Sequence, residues 1–293
     1  MKLSIIIPTF NGKDLLAQNL PQVLTAAPEA EMIVVDDAST DTTVNFITTD
    51  FPGVKLVSLP RNLGFARAVN AGVAAATGDI VVLFNTDVSP HPSCLAGLVD
   101  QFVTNPNLFS VGFLETDPRT GHKRGKSRGF WSRGLVHHAP AADLKIGLTF
   151  WTFAAAAAYR KSLWHKLGGL DPLFRPAYWE DIDLSYRAHK QGWPVLFDPT
   201  RQVAHPAEST MKPLLGTKIT LLSYKNQLLF VWKNITSIKL LISHLLWLPY
   251  HIMFNPLGFL LALLQLPEAL ISRFKQLPST ISDEAVLNSA SGR

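Results

Sequence analysis

From Leu3 to Phe84 the chain alternates short, β-branched apolar runs with segments of helical spacing, and that alternation leaves few folds open. Leu3–Ile7 reads as a buried strand closed by Pro8. Leu15, Leu16, Leu20 and Val23 then recur at helical spacing between Gly12 and Leu24, interrupted by Pro21. Met32–Val35, Val54–Ser58 and Ile80–Phe84 read as further strands. Between them fall a helix over 42–48 and another opening at Asn62-Leu63-Gly64-Phe65, running through Ala76 and closed by Gly78. The alternation predicts an α/β fold, a mostly parallel sheet flanked by helices on both faces.

Three apolar stretches end in acids: Met32–Val35 at Asp36-Asp37, Ile80–Phe84 at Asp87, and Tyr178-Trp179 at Glu180-Asp181. Carboxylates at the ends of neighbouring parallel strands converge on one crevice. Such a set suits a metal, a diphosphate and a general base. Each acid also has a plainer account. Asp36-Asp37, before Ala38-Ser39-Thr40-Asp41, would cap a helix, and Asn85-Thr86-Asp87 is a turn signal. The acids of Trp179-Glu180-Asp181-Ile182-Asp183 would complement a helix dipole, and a lone His205 is an ordinary polar residue. The functional account gives Asp36-Asp37 a nucleobase N–H or ribose hydroxyl to grip. It makes Asp87 an oxygen ligand for a hard divalent cation and His205 a ligand through a neutral imidazole. Asp181 becomes a general base, with Glu180 and Trp179 shaping the acceptor site.

Two other motifs fail on context. Gly125-Lys126-Ser127-Arg128-Gly129 matches Gly-x-Ser-x-Gly, but Gly121-His122-Lys123-Arg124 before it is no strand, and Thr120 stands where a P-loop needs glycine. No Gly-x-Gly-x-x-Gly follows the first strand, so the dinucleotide fingerprint is missing.

Further along, 92–104 reads as a helix and Phe109–Leu114 as a strand. Residues 116–147 scatter Arg119, Lys123, Arg124, Lys126, Arg128 and Arg133 among glycines, which predicts a mobile loop or an excursion over the sheet. Phe150–Tyr159 reads as a strand, Lys161–Leu167 as a helix ended by Gly168-Gly169, 181–191 as a helix, and Val195–Phe197 as a last strand before His205. With 47% hydrophobic and 17% charged residues in 293, the core can be large. The net charge of +5 is too small and dispersed for nucleic acid, but it suits an anionic membrane surface or a phosphorylated substrate. The single Cys94 forbids an internal disulfide and a thiolate-rich metal site. The N-terminal apolar run is too short for a signal-peptide core, which argues against export and against a glycan on Asn234-Ile235-Thr236.

Composition changes after Thr217. Residues 218–233 have helical spacing, and between Lys239 and Glu268 there is no Asp, Glu, Lys or Arg. Residues 240–267 are long enough to cross a bilayer, but Pro249 and Pro256 divide them and His244, His251 and Asn255 add polar cost. A re-entrant or interfacial hairpin, flanked by Lys239, Arg273 and Lys275, fits better than a span; helices packed on the catalytic domain or on a second copy are the alternative. The reading divides the chain into a catalytic domain (1–215), a helical, membrane-associated appendage (216–277) and a polar, frayed tail (278–293).

Taken in order, the motifs resemble a known family. They are Ser4-Ile5-Ile6-Ile7-Pro8-Thr9-Phe10-Asn11, Val34-Val35-Asp36-Asp37-Ala38-Ser39-Thr40-Asp41, Asn62-Leu63-Gly64-Phe65-Ala66-Arg67-Ala68-Val69-Asn70, Asn85-Thr86-Asp87, Gly168-Gly169-Leu170-Asp171, Trp179-Glu180-Asp181-Ile182-Asp183-Leu184 and His205. From Leu3 to His205 the chain resembles the inverting family 2 glycosyltransferases of the GT-A fold, a Rossmann-like architecture, and within them the rhamnosyltransferase-like branch. The resemblance implies a dTDP-, UDP- or GDP-linked sugar donor, a glycan or lipid-linked acceptor, and Mg²⁺ or Mn²⁺. It implies that Thr9 and Asp37 hold the base, with Asp36 beside them on the nucleoside, and that Asn11, Asn62, Gly64, Arg67, Asn85 and Trp179 line the substrates. It implies Asp87 and His205 as metal ligands and Asp181, assisted by Glu180, as the base on the acceptor hydroxyl. Asn85 replaces the first acid of the family's usual Asp-x-Asp, which removes one anionic ligand. The implied place of work is the cytoplasmic face of a membrane, as a peripheral protein in cell-envelope polysaccharide assembly, with a homo-oligomer compatible. Two alternatives keep the same fold. A nucleotidyltransferase would want a basic, glycine-rich loop after the first strand, where no Lys or Arg occurs before Lys13; a catalytically silent membrane scaffold would not need Asp37, Asp87, Asp181 and His205 intact.

Overall fold

The computed structural model describes residues 1–176, 178–206 and 218–289. The strands in chain order are β1 (Leu3–Thr9), β2 (Glu31–Asp36), β3 (Lys55–Ser58), β4 (Ile80–Phe84), β5 (Ser89–Pro90) and β6 (Ser110–Thr116). They continue as β7 (Lys123–Arg124), β8 (Ser127–Ser132), β9 (Leu135–Pro140), β10 (Gly147–Leu148), β11 (Ala156–Arg160) and β12 (Val195–Ala204). The first helices are α1 (Lys13–Ala26), α2 (Thr43–Asp50), α3 (Phe65–Ala75), α4 (Leu98–Thr104), α5 (Lys161–Leu167) and α6 (Glu180–Lys190).

The main sheet has the order β10-β12-β6-β11-β4-β1-β2-β3. β1 lies parallel between β2 and β4, and β12 is parallel to β6, while β11 runs antiparallel between β4 and β6. The expected fold class holds. Period-2 alternation explains why both faces are covered: Ile5 and Ile7 of β1 pack with Leu16, Leu20 and Phe102 on one side, while Ile6 packs with Val69, Val73 and Trp164 on the other.

Some boundaries differ. Of 92–104 only Leu98–Thr104 is α-helical, and the 150–159 run enters the sheet only at Ala156. The last strand extends past Phe197 to Ala204 because it pairs with β6 over most of its length. The largest correction concerns 116–147. Instead of a mobile loop, β8 and β9 form an antiparallel hairpin, and its side chains have fixed partners. Ser127 is buried against the Thr149 hydroxyl, which also disposes of it as a nucleophile. Gly129 lies so close to the Phe150 ring that a Cβ would stand 2.4 Å from it.

The C-terminal helices are α7 (Lys218–Asn234), α8 (Ile238–Phe254), α9 (Pro256–Leu264), α10 (Leu266–Phe274) and α11 (Asp283–Ser289). The expected boundary at 215/216 falls outside the described residues. α7 buries Leu228–Val231 in one cluster with Phe150, Trp151, Trp179 and Tyr186, and Ala262, Ala269 and Val286 complete it. Polar bonds reinforce this joint. Asp183 on α6 meets Lys233 and Asn234 of α7 and its own-helix neighbour Arg187, all buried. Lys233 also reaches Asp171 at 2.7 Å. The tail is not frayed throughout: Asp283 at the start of α11 is buried, accepting from Tyr186 and Lys190 at 2.6 Å each and from the Thr236 and Ser237 amides at 2.7 Å. These donors, with the Thr236 hydroxyl at 3.2 Å, fix a segment whose polarity alone predicts exposure.

No single helix among the described residues is long and apolar enough to cross a membrane; α8 and α9 pass that test only as a pair, bent by 119°. Asn255 makes the bend by accepting from the Gly258 amide, with Pro256 in the first turn of α9. Removing one partner from a buried ion pair leaves the other uncompensated. Asp183→Ala is therefore expected to lower unfolding free energy by about 3–5 kcal/mol in a denaturant titration; a loss under about 1 kcal/mol would show that the cluster does not hold α6 to α7.

Candidate functional site

The C-terminal ends of β1, β2, β4, β6 and β12 share one edge of the sheet, and the chain puts polar residues there. Thr9 stands opposite Asp36, and the Asp37 amide donates to the Thr9 carbonyl at 2.8 Å. Thr9, Asp36, Asp37 and Asp87 are all buried. The Thr9 hydroxyl has no hydrogen-bond partner among the described residues.

The two adjacent acids do different things. Asp36 accepts from the Ser39 amide within its own turn. Asp37 reaches across, accepting from the Leu63 and Gly64 amides at 2.7 and 2.8 Å. That bond holds the loop before α3, where Gly64 has φ +84°, a region that favours glycine. Helix capping does not explain either acid, since Asp41 accepts from the Thr43 amide at the start of α2. Asn11 braces the same turn: its side-chain oxygen accepts from the Thr40 and Asp41 amides, and its own amide donates to Ser39 Oγ. Asn62 and Arg67 are exposed at the rim. Leu63, Gly64, Arg67, Pro172, Arg175 and Glu180 line a cleft of about 310 Å³, so the loop held by Asp37 faces the start of α6.

Asp87 and His205 meet because β5 pairs with the end of β12, Ser89 opposite Ala204. His205 Nε2 lies 3.3 Å from Asp87 Oδ1, while Nδ1 faces Glu115 Oε2 at 2.8 Å. Burial alone would lower the imidazole's pKa, but hydrogen bonds and the charges of Asp87 and Glu115 outweigh it and raise it to about 9. Asn85 is tied in by its amide, which donates to the Ala155 carbonyl. Glu115 was missed by the sequence reading, although the signal was present: Phe109–Leu114 is a fourth apolar run ending in an acid.

The third carboxylate sits at the N-terminus of α6. Trp179 precedes the helix with φ +93°, buried against Phe230 and His138, its indole N–H donating to Ser223. A bulky residue in that region is strained and persists because its surroundings hold it. Asp181 accepts from its neighbour Ile182's amide at 2.8 Å and from Ala154's at 3.4 Å. Burial raises Asp181 to about 6 despite those bonds. Burial and the Asp181 charge push Glu180 higher still. Of the two carboxyls, Asp181 is the more readily ionised. Ala154-Ala155 links the groups, one amide facing Asp181 and the next carbonyl accepting from Asn85.

Among the described residues no group of three or more His, Cys, Asp or Glu is arranged to hold a metal ion. Asp87 and His205 supply two donors 3.3 Å apart. Adjacent ligands of an octahedral Mg²⁺ or Mn²⁺ lie about 3 Å apart, and such ions commonly take one or two protein ligands plus substrate phosphates and water. The buried Glu115 Oε1 has no hydrogen-bond partner among the described residues, which adds negative potential beside the pair. The residues fit a divalent ion that shares its coordination with a diphosphate.

Residues 4–168 match the family model described as glycosyl transferase family 2. The chain is 25% identical over 205 residues to the N-acetylglucosaminyl-diphospho-decaprenol L-rhamnosyltransferase of Mycobacterium tuberculosis. That match covers 59% of this chain and 66% of the relative, just short of two thirds of its length. The mannosyltransferase PcManGT from Pyrobaculum calidifontis, solved with GDP-Man and Mn²⁺, superposes with a TM-score of 0.57 at 19% identity, covering 94% of this chain and 76% of that one. The S. aureus TarS 1-349 structure with UDP gives 0.55 at 17% identity, covering 88% of this chain and 74% of that one. These structural likenesses establish the GT-A fold.

His205 is protonated more readily in the folded chain than in the unfolded one, whose imidazole has the ordinary value of 6.5. Its stabilising contribution is complete below that pH and is lost as pH rises through about 9. In chelator-treated protein the stability deficit of His205→Gln is therefore expected to be largest near pH 6 and to fade by about pH 10. A deficit that stays constant in denaturant melts over that range would contradict the ion pair.

Proposed function

This chain belongs to glycosyl transferase family 2, and we propose that it transfers a sugar from a nucleoside-diphosphate donor to a hydroxyl of a lipid-linked glycan acceptor, with inversion. One observation carries the reading: the partly buried Asp181 carboxyl is held by backbone amides at a helix start, on the same sheet edge as the Asp87–His205 pair. A sugar hydroxyl is a poor nucleophile, so a base must take its proton as it attacks. Asp181 is that base, with Glu180 beside it lining the cleft. The acceptor oxygen forms a bond to the anomeric carbon from one face while the bond to the diphosphate oxygen breaks on the other. The electron pair leaves with the nucleoside diphosphate, and the proton goes to Asp181. A single displacement inverts the centre and needs no nucleophile from the chain.

The donor's nucleoside lies against Thr9, Asp36 and Asp37, on a surface braced by Asn11, and Asn62, Gly64, Arg67, Asn85 and Trp179 border the substrates. Asp87 and His205 would hold a divalent ion, Mg²⁺ or Mn²⁺, which when bound neutralises charge developing on the diphosphate. The Mn²⁺ in the mannosyltransferase structure supports this assignment by analogy of fold.

A decaprenol-linked substrate in the rhamnosyltransferase's name supports a lipid-linked acceptor. So does the surface of 238–274, where Ile238, Leu246 and Phe274 are 76%, 76% and 85% exposed and Lys239, Arg273 and Lys275 flank the apolar face. This face rests in the headgroup region of a cytoplasmic leaflet, so that the chain works as a peripheral protein. The organisation proposed is a catalytic unit followed by membrane-seated helices.

With any donor that supports turnover, Asp181→Asn is expected to lower kcat by roughly 10²–10⁴-fold while nucleotide affinity stays within about twofold. Ionisation of Asp181 makes wild-type kcat/KM rise as pH increases through about 6. Turnover by the variant within about fivefold of wild type would exclude Asp181 as the base. For the membrane, Leu246→Asp combined with Phe274→Asp is expected to abolish cosedimentation with phosphatidylglycerol vesicles without changing the melting temperature. Undiminished binding would remove this face from the contact.

A further inference from the structure

We infer that Glu115 is a positioning residue of the metal–diphosphate site, fixing the His205 ring so that Nε2 faces Asp87, and that Arg124 holds Glu115 in place. The inference rests on the proposed Asp87–His205 metal pair and adds residues that no motif pointed to.

The fold brings these groups together through three strands. Glu115 lies near the end of β6, whose parallel neighbour β12 ends beside His205; the register sets Glu115 opposite Val203, and the His205 amide donates to the Thr116 carbonyl at 3.0 Å. On its other side β6 pairs antiparallel with β7, placing Arg124 opposite Glu115. The Arg124 Nε–H donates to Glu115 Oε2 at 2.7 Å, and the His205 Nδ1–H donates to the same oxygen at 2.8 Å. Arg124 Nη2 lies 3.1 Å from His205 Nδ1. With that nitrogen already donating to Glu115, the approach reflects a shared acceptor and not a further hydrogen bond. Glu115 itself is only 1% exposed.

A neutral imidazole ligates only through the nitrogen that carries no proton. A carboxylate on Nδ1–H therefore does two things: it keeps the lone pair on Nε2, and it prevents the ring from turning. The negative charge also makes Nε2 a better electron donor. Glu115 touches neither reacting atoms nor diphosphate in this account; it acts through His205. Arg124 compensates the buried Glu115 carboxylate with a charge-assisted hydrogen bond, and it forbids Glu115 an alternative rotamer. The cost of burying Glu115 is then explained by what it orients. A merely structural role, in which the Arg124–Glu115 pair fastens β7 to β6, would stabilise the sheet without any influence on a metal.

Metal affinity separates the two accounts. Free Mn²⁺ is measured by electron paramagnetic resonance during titration with Mn²⁺ alone of wild type, Asp87→Asn, Glu115→Gln and Arg124→Gln, each shown to be folded by cooperative melting. Glu115→Gln is expected to raise the Mn²⁺ Kd roughly 10–100-fold, and Arg124→Gln to raise it by at least about threefold. Asp87→Asn should abolish binding. If Asp87→Asn loses Mn²⁺ while Glu115→Gln stays within about twofold of wild type, the positioning role is overturned and the metal pair stands. If Asp87→Asn binds as wild type does, or wild type binds no Mn²⁺, the metal pair falls and the inference with it. Should Glu115→Gln fail to fold, Arg124→Gln decides: unchanged affinity there overturns the inference.

Discussion

The buried charge cluster between α6 and α7 is the constraint on which the rest depends. Asp183 has no access to solvent and is bonded by Arg187, Lys233 and Asn234. Arg187 also donates to the carbonyls of Leu167 and Gly169, and Lys233 reaches Asp171. One carboxylate thus fastens the end of α5, the turn after it, the first turn of α6 and the end of α7. The groups proposed for chemistry, Glu180 and Asp181, stand three and two residues before Asp183 on the same helix. Their position follows from that neighbour's burial together with the two backbone amides that Asp181 accepts from, Ile182 beside it and Ala154 across the fold. Burying ions for rigidity costs desolvation energy, and hydrophobic replacement is often no less stable. The return here is a single orientation for the start of α6, which an apolar contact would define less sharply.

The strand edge works by a different economy. Its carboxylates are buried, but each has neighbours that determine what it does. Backbone amides occupy Asp36 and Asp37, so these residues shape the 38–41 turn and the 62–64 loop as well as facing the proposed nucleoside. Asp87 is balanced by an imidazolium in the absence of a cation, and a divalent ion entering between them would displace a proton rather than meet a bare charge. The site is therefore electrostatically composed both with and without metal. Asn85 contributes no charge, which leaves that balance to one carboxylate and one histidine, with Glu115 behind them.

Much of this was legible in the sequence because it rests on local pattern. β-branched runs of four or five residues gave the parallel strands, and their acidic ends gave Asp36, Asp37 and Asp87. What escaped depends on distant partners. Glu115 gained meaning only once β12 delivered His205 next to it, 90 residues on. Asp183 looked like a helix-dipole acid, and its burial against Lys233 could not be read from either segment alone. That Asn11 braces the Asp36-Asp37 turn was likewise hidden, because the role is set by Ser39, Thr40 and Asp41. The 116–147 stretch read as a mobile loop or an excursion over the sheet because glycine and arginine hide its alternation, and because what fixes the hairpin comes from α8 more than a hundred residues later.

That last attachment links the apolar surface to the catalytic unit. The hairpin tip at Arg133-Gly134 offers its two carbonyls to His251 and His244 of α8. Each histidine uses both ring nitrogens: the His244 Nδ1–H donates to Gly134 while its Nε2 accepts from the Trp232 indole, and the His251 Nε2–H donates to Arg133 while its Nδ1 accepts from the Tyr224 hydroxyl. The His244 ring is thereby held as a neutral tautomer, since a second proton would meet the Trp232 indole N–H. Burial lowers the His244 pKa, in keeping with that arrangement. Arg133 in turn stacks on Tyr250 at 5.8 Å. The α8 face that carries exposed leucines is thus joined, through side chains on its other face, to a hairpin that packs on Trp151 and Trp179 through His138. Trp179 immediately precedes Glu180. A surface resting against lipid would in this way share one rigid path with the start of α6, which would hold the proposed bilayer-anchored acceptor and the proposed base in a fixed relation.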